Sequence, residues 1–277
     1  MDLIRNNKSL LFASIVISAV VGVLYWPVIV PMVKQWASDD NYSHGFLVPV
    51  ISFYLAYMRR DKLQTANVRP CNAGIALIVF GLILLILGWV ATEYLTMRSS
   101  LVVVIAGLIL YLFGLEIFKI LLAPLCYLFL MVPIPAVLYD AAAFPLKIFV
   151  TNVSVLCMKA LGIVVWKEGN ILMFPNITLE VADACSGLRS IMSLLALGAA
   201  YAFVLHTKTR DRIILIVSTL PIAVLTNTLR VVATGVLAQF FGSAAAEGFF
   251  HEFAGLFVFA AAVVLFVALG SALKRWA

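Results

Sequence analysis

A chain of 277 residues that is 64% hydrophobic and only 12% charged, with a mean hydropathy of +1.12, lies far from the balance of a water-soluble domain. That composition excludes a single soluble core and predicts an all-α polytopic membrane protein whose length is spent on crossings of roughly 20 residues each. The net charge of +6 would suit nucleic acid if it formed one patch, but it does not: the basic residues fall at Arg5 and Lys8, at Arg59, Arg60, Lys62 and Arg69, at Lys208, Arg210 and Arg212, and at Lys274 and Arg275. These clusters alternate with apolar runs as cytoplasmic loops do under the positive-inside rule, and no nucleic-acid partner is expected.

In chain order the predicted spans are Leu10 to Pro31, Phe46 to Met58, Ala73 to Ala91, Ser99 to Phe118, Ile120 to Val137, Leu188 to Leu205, Ile213 to Leu229 and His251 to Leu273. The first is too long for the apolar core of a cleavable signal. About eight transmembrane helices put both termini on one side, and the basic clusters make that side the cytoplasm. A single membrane domain over residues 1–277 is expected, embedded in the lipid bilayer.

The first outer loop, Lys34 to Gly45, reads KQWASDDNYSHG. Taken plainly it is an interfacial connection anchored by Trp36 and Tyr42 at headgroup level. Taken functionally, Asp39, Asp40, Tyr42 or His44 helps to form a substrate cleft. Further along, Gly74, Gly81 and Gly88 recur every seven residues, which keeps small residues on nearly one helical face and lets a neighbour approach closely. Glu93 and Arg98, in the loop that follows, form a candidate pair that converges on no site.

The segment Val132-Pro133-Ile134-Pro135 cannot continue as a regular helix. In the stretch after it Lys147, Thr151 and Ser154 share one face, so Ala141 to Val165 is expected along the outer interface, with a buried span as the alternative. Trp166 to Asp183 then carries two short apolar runs around Pro175-Asn176, a turn signal, and predicts a short extracytoplasmic hairpin.

That hairpin leads into Ala182 to Ser190, ADACSGLRS, where Cys185 sits at the start of an apolar helix. A helix N-terminus and a nearby arginine, here Arg189, favour the thiolate. At about 1.5 Å per residue, Cys185 to His206 is about 31 Å, Arg212 to Arg230 about 27 Å and His251 to Lys274 about 34 Å, each near one bilayer core of roughly 30 Å. Three cytoplasmic markers thus carry Cys185, Arg230 and His251 to one depth at the outer face.

Each of these residues has a plainer explanation. Cys71, Cys126 and Cys157 are expected to be small buried hydrophobes, and Cys185 differs from them in its polar setting. Arg230 can snorkel to the interface, and His251, beside Glu252, can cap a helix. No metal is expected, because His251-Glu252 lacks the second histidine of HExxH and the other two histidines stand at 44 and 206. No cofactor is expected either.

The segments VADACSGLRS, NTLRVVATG and HEFAG, in that order, with the early NYSHGFLVP, resemble the exosortase and archaeosortase family over about Trp36 to Leu269. The cysteine motif reads Ala-Asp-Ala-Cys where Ala-Glu-Ala-Cys is commoner, and Asp183 keeps the charge. The resemblance implies a cysteine protease or transpeptidase acting on membrane-anchored protein substrates with C-terminal sorting tails: a Pro-Glu-Pro signature, a transmembrane helix and a basic cluster. It implies Cys185 as nucleophile, His251 as general acid and base, and Arg230 as donor to the oxyanion, with His44, Asp183, Arg189 and Asn227 as candidates for substrate binding. A different class stays open beside it, a carrier or assembly factor for an anionic envelope or exopolysaccharide precursor, in which Arg230 and Pro221 line a path.

Overall fold

The computed structural model describes residues 8–175, 178–180, 187–205, 208–242 and 249–275. They are almost entirely helical, and the chain divides into two units, one ending at Pro135 and the next beginning at Ala136. Among the described residues six helices are long and apolar enough to cross a membrane. The protein is therefore an all-α polytopic membrane protein, as its composition requires.

In the first unit, α1 (Lys8–Ser38) leads through a 3-10 helix (Asp40–Phe46) into α2 (Leu47–Tyr57) and the short α3 (Arg60–Thr65). The hairpin of α4 (Ala73–Val90) and α5 (Tyr94–Phe113) follows, then α6 (Leu115–Leu128). The seven-residue glycine repeat brings two helices together as its spacing predicts. A Cβ on Gly74 would lie 2.3 Å from the Tyr111 backbone nitrogen, and one on Gly88 2.7 Å from that of Met97, so α4 and α5 touch backbone to backbone. Gly114 stands at φ +89°, where a Cβ would fall on the Arg69 carbonyl; only glycine lets the connection pass so close.

Glu93 and Arg98 attract each other electrostatically, as expected, while each makes its hydrogen bonds elsewhere. Glu93 caps α5, accepting from the Leu95 and Thr96 N–H groups at 2.9 and 2.6 Å. Arg98 is buried, donates to Gln35 Oε1 at 2.7 Å and lies beside the Tyr94 ring. Trp36 and Tyr42 are buried inside the protein rather than exposed to headgroups. The proline-rich exit after α6 supplies the reason. It leaves backbone carbonyls without helical partners, and the Trp36 indole donates to the Met131 carbonyl at 2.9 Å while the Tyr42 hydroxyl donates to that of Ile134 at 2.8 Å. Cys71 is half-buried, and Cys126 and Cys157 are exposed, on surfaces that in a membrane protein face lipid, where a small apolar side chain is equally at home.

The second unit opens with α7 (Ala136–Ala160), one helix of 25 residues through Pro145 and long enough to span. Two of its polar residues point into the protein, although Asp140, Asn152 and Lys159 are exposed. Thr151 and Ser154 are fully buried, and the Thr151 hydroxyl donates to the Lys147 carbonyl. The hairpin segment forms a three-stranded antiparallel meander, β1 (Trp166–Glu168), β2 (Ile171–Met173) and β3 (Thr178–Glu180). The extra strand comes from a two-residue turn at Gly169-Asn170, with Gly169 at φ +60°, a hairpin signal of Gly-X type. Three helices complete the unit: α8 (Gly187–Leu205), α9 (Thr209–Phe241) and α10 (Phe249–Arg275). Helix α9 is the hub, packing against α7, α8 and α10.

Two apolar clusters hold that arrangement. One joins Val150, Val155 and Met158 of α7 to Leu172 and Phe174 from one face of the meander and to Val231 of α9. The other joins Leu194 and Ala202 of α8, Leu215 and Ala223 of α9, and Ala262 and Phe266 of α10. Small residues set the close approaches: a Cβ on Gly198 would lie 3.1 Å from the Phe266 ring, and one on Gly270 2.5 Å from the Tyr201 hydroxyl.

Candidate active site

The residues after Pro221 have good reason to remain helical. No glycine or proline interrupts 222–234, and the hydroxyls there bond back to their own helix, Thr226 to the Ile222 carbonyl at 2.9 Å and Thr228 to that of Val224 at 2.8 Å. Each threonine is thereby satisfied without water. The helix runs on to Phe241 and stops at Gly242, φ +76°. It does not end at Leu229, so Arg230 stands inside α9, 12 residues before the glycine that closes it, not at a helix terminus.

Arg230 is 5% exposed, and its guanidinium turns toward α10. A Cβ on Gly255 would lie 3.3 Å from Arg230 Nη2 and 3.6 Å from its Cζ. His251 lies four residues earlier on α10, in that helix's first turn, about 6 Å along the axis. Asn227, one turn before Arg230 on α9, is half-buried.

A second approach fixes the meander. A Cβ on Gly235 would lie 2.7 Å from Met158 Sδ and 3.0 Å from Phe174 Cζ. The glycine thus leaves the hollow in α9 that β2's trailing residue and α7 fill. Lys167 of β1 adds a hydrogen bond to Asn152 Oδ1 of α7. From this clamp β3 ends at Glu180, and α8, packed on both α9 and α10, begins at Gly187. Asp183 and Cys185 lie between those two points and outside the described residues. Arg189 belongs to the first turn of α8.

His44 belongs to the first unit. It sits in the 3-10 helix whose start Asp39 caps by accepting from the Asn41 N–H at 3.0 Å. It is 7% exposed, and its Nδ1 has no hydrogen-bond partner among the described residues. Burial pushes its imidazole below the ordinary histidine range, against the opposing pull of the Leu130 and Asn41 backbone. The neighbouring Gly45 is required by packing, because a Cβ there would meet the Trp36 indole at 2.5 Å.

Two glycines, Gly235 and Gly255, join the site although sequence reasoning passes them over, and both stand inside the motifs NTLRVVATG and HEFAG. The available signal was the glycine itself: a small residue within an apolar helix leaves room for a side chain from another helix.

The chain matches the protein family described as Transmembrane exosortase (Exosortase_EpsH) over residues 36–268. No curated protein and no solved structure matches it.

Proposed function

The chain belongs to the transmembrane exosortase family, a multi-pass membrane family of cysteine peptidase and transpeptidase type, and we propose that it removes C-terminal sorting tails from membrane-anchored proteins through an acyl-enzyme on Cys185. The observation that carries this proposal is the approach of the buried Arg230 guanidinium to Gly255, one turn from His251. In this proposal Arg230 and His251 act together across that contact between α9 and α10. Cys185, in the stretch of sequence between β3 and α8, is proposed as the third.

In the proposed reaction the Cys185 thiolate attacks the scissile carbonyl, and the developing oxyanion accepts hydrogen bonds from Arg230. As the intermediate collapses the C–N bond breaks, and the departing amine takes a proton from His251. Water or an acceptor amine then attacks the thioester, His251 takes back the proton, and Cys185 leaves as the thiolate. A buried guanidinium suits this role, because in a site shielded from water a fixed cation acts on new negative charge with little screening. Asn227, Arg189, Asp183 and His44 are proposed to contact substrate.

The substrate follows from the same physics as the enzyme's orientation. A tail made of a Pro-Glu-Pro signature, a transmembrane helix and a basic cluster keeps its basic end in the cytoplasm, and so presents the signature at the outer face of the inner membrane. With both termini of the enzyme cytoplasmic, Cys185, Arg230 and His251 are proposed to meet it there.

The test is coexpression with a tagged protein carrying such a tail. Removal of the tail by the wild type but not by Cys185→Ser supports a thiol-dependent enzyme. Tails left intact by an equally expressed wild type would sink the peptidase reading in favour of a carrier or assembly factor, which cleaves nothing.

A further inference from the structure

The first unit contains a groove that the proposed reaction does not use. It has a volume of about 390 Å³ and lies where the end of α2, α3, the end of α5 and the start of α6 come together. Its wall is hydrocarbon, from Phe53, Ala56, Ile109, Phe113, Ile117 and Leu121. Polar groups are confined to its edge, where Arg60 and Gln64 of α3 stand with Tyr57. We propose that this groove binds an anionic phospholipid of the bilayer, with an acyl chain along the wall and the phosphate at Arg60.

The edge is built to present positive charge. The Arg60 guanidinium lies 4.6 Å above the Tyr57 ring, which holds it at the mouth. Its carboxylate contact is Asp61 at 3.7 Å, with both side chains largely exposed, a pairing that water screens and a phosphate can replace. Lys62 and Arg69, in the same connection, are exposed as well. Arg59 is engaged elsewhere, donating to the Leu55 carbonyl at 2.7 Å near the end of α2.

Shape and charge together choose the occupant. A soluble anion would leave the hydrocarbon wall wet, whereas an acyl chain covers it. A zwitterionic lipid fills the wall equally well but gives the arginine no net charge to neutralise. The basic edge also repels a basic peptide. What remains is an acidic headgroup joined to an acyl chain, the arrangement that basic segments beside membrane spans attract.

The experiment uses the purified full chain in detergent, exchanged with phosphatidylglycerol or phosphatidylcholine of equal acyl length, with retained lipid counted by native mass spectrometry. The wild type should hold phosphatidylglycerol in preference. Arg60→Gln should cut that preference about fivefold and leave phosphatidylcholine unchanged, as loss of one basic side chain near an acidic headgroup predicts. Ala56→Trp, which fills the groove and leaves the charge in place, should reduce retention of both lipids. Equal retention of the two lipids by the wild type would overturn the proposal, as would a preference that survives Arg60→Gln or retention that ignores Ala56→Trp.

Discussion

The guanidinium of Arg230 rests against Gly255, close enough that a single methyl group there would come within 3.3 Å of Nη2. The glycine is therefore a seat for the arginine, one turn along α10 from His251. Its value lies in what it lacks, since any side chain would have to share the space that the guanidinium fills.

Gly255→Ala should keep the fold and slow tail cleavage by about tenfold, because a displacement of a few tenths of an ångström is enough to misdirect an oxyanion donor. Gly255→Leu should abolish cleavage. Thiol alkylation at Cys185 provides the control. If the alanine variant cleaved at the wild-type rate, the seat would have no catalytic meaning.

Arg230→Gln should lower kcat roughly 100-fold with little change in KM, the pattern of a contact made mainly in the transition state. Thermal stability should hold, since exchanging a buried cation for a neutral amide removes a desolvation cost along with its contacts. Steady-state kinetics on a tail peptide together with a melting curve separate the two effects. A rise in KM alone would make Arg230 a substrate anchor.

Phe174→Ala should destabilise the second unit by about 3 kcal/mol, the usual scale for emptying a buried aromatic site. It should also lower activity beyond what the lost stability explains, because the meander that leads toward Cys185 loses its hold at Gly235. Gly235→Val attacks the same contact from the other side. Melting temperatures and cleavage rates measured in parallel check both variants.

His44 gives a pH dependence of defined sign. Its pKa is lowered by burial, so between that value and the unfolded value of about 6.5 the unfolded chain binds a proton that the folded chain refuses. Stability is fully present above about 6.5 and falls as pH drops through the window below it. His44→Gln should flatten that fall in melting curves taken from pH 5 to pH 8. Parallel curves for the two proteins would place the titration elsewhere.

The membrane class was legible because composition alone decides it, and the α4–α5 contact because glycine spacing reports helix approach directly. The depth relation among the motif residues came from counting residues between charge clusters, a ruler that holds while the segments are helical. It holds from Arg212 to Arg230, but the predicted end of the span at Leu229 does not, since nothing in apolar sequence distinguishes a helix that stops there from one that continues to Phe241. Thr151 and Ser154 misled for a related reason. A polar face means water only when no protein covers it, and here α7 turns that face inward. Trp36 and Tyr42 were misplaced because their partners, the carbonyls of Met131 and Ile134, lie almost a hundred residues away in sequence. The role of Gly255 is invisible locally, as the side chain it accommodates belongs to another helix.

Helix α9 contains 33 residues and is therefore about 50 Å long, against a hydrocarbon core of roughly 30 Å. Such a helix must tilt or project, and the balance between the two depends on the thickness of the lipid around it. Because Arg230 and Gly235 lie on its last four turns, the height of the proposed site above the acyl chains is coupled to bilayer thickness. Reconstitution in lipids of graded chain length should give an activity optimum, with thin and thick membranes each moving the site away from the level at which a tethered tail can reach it.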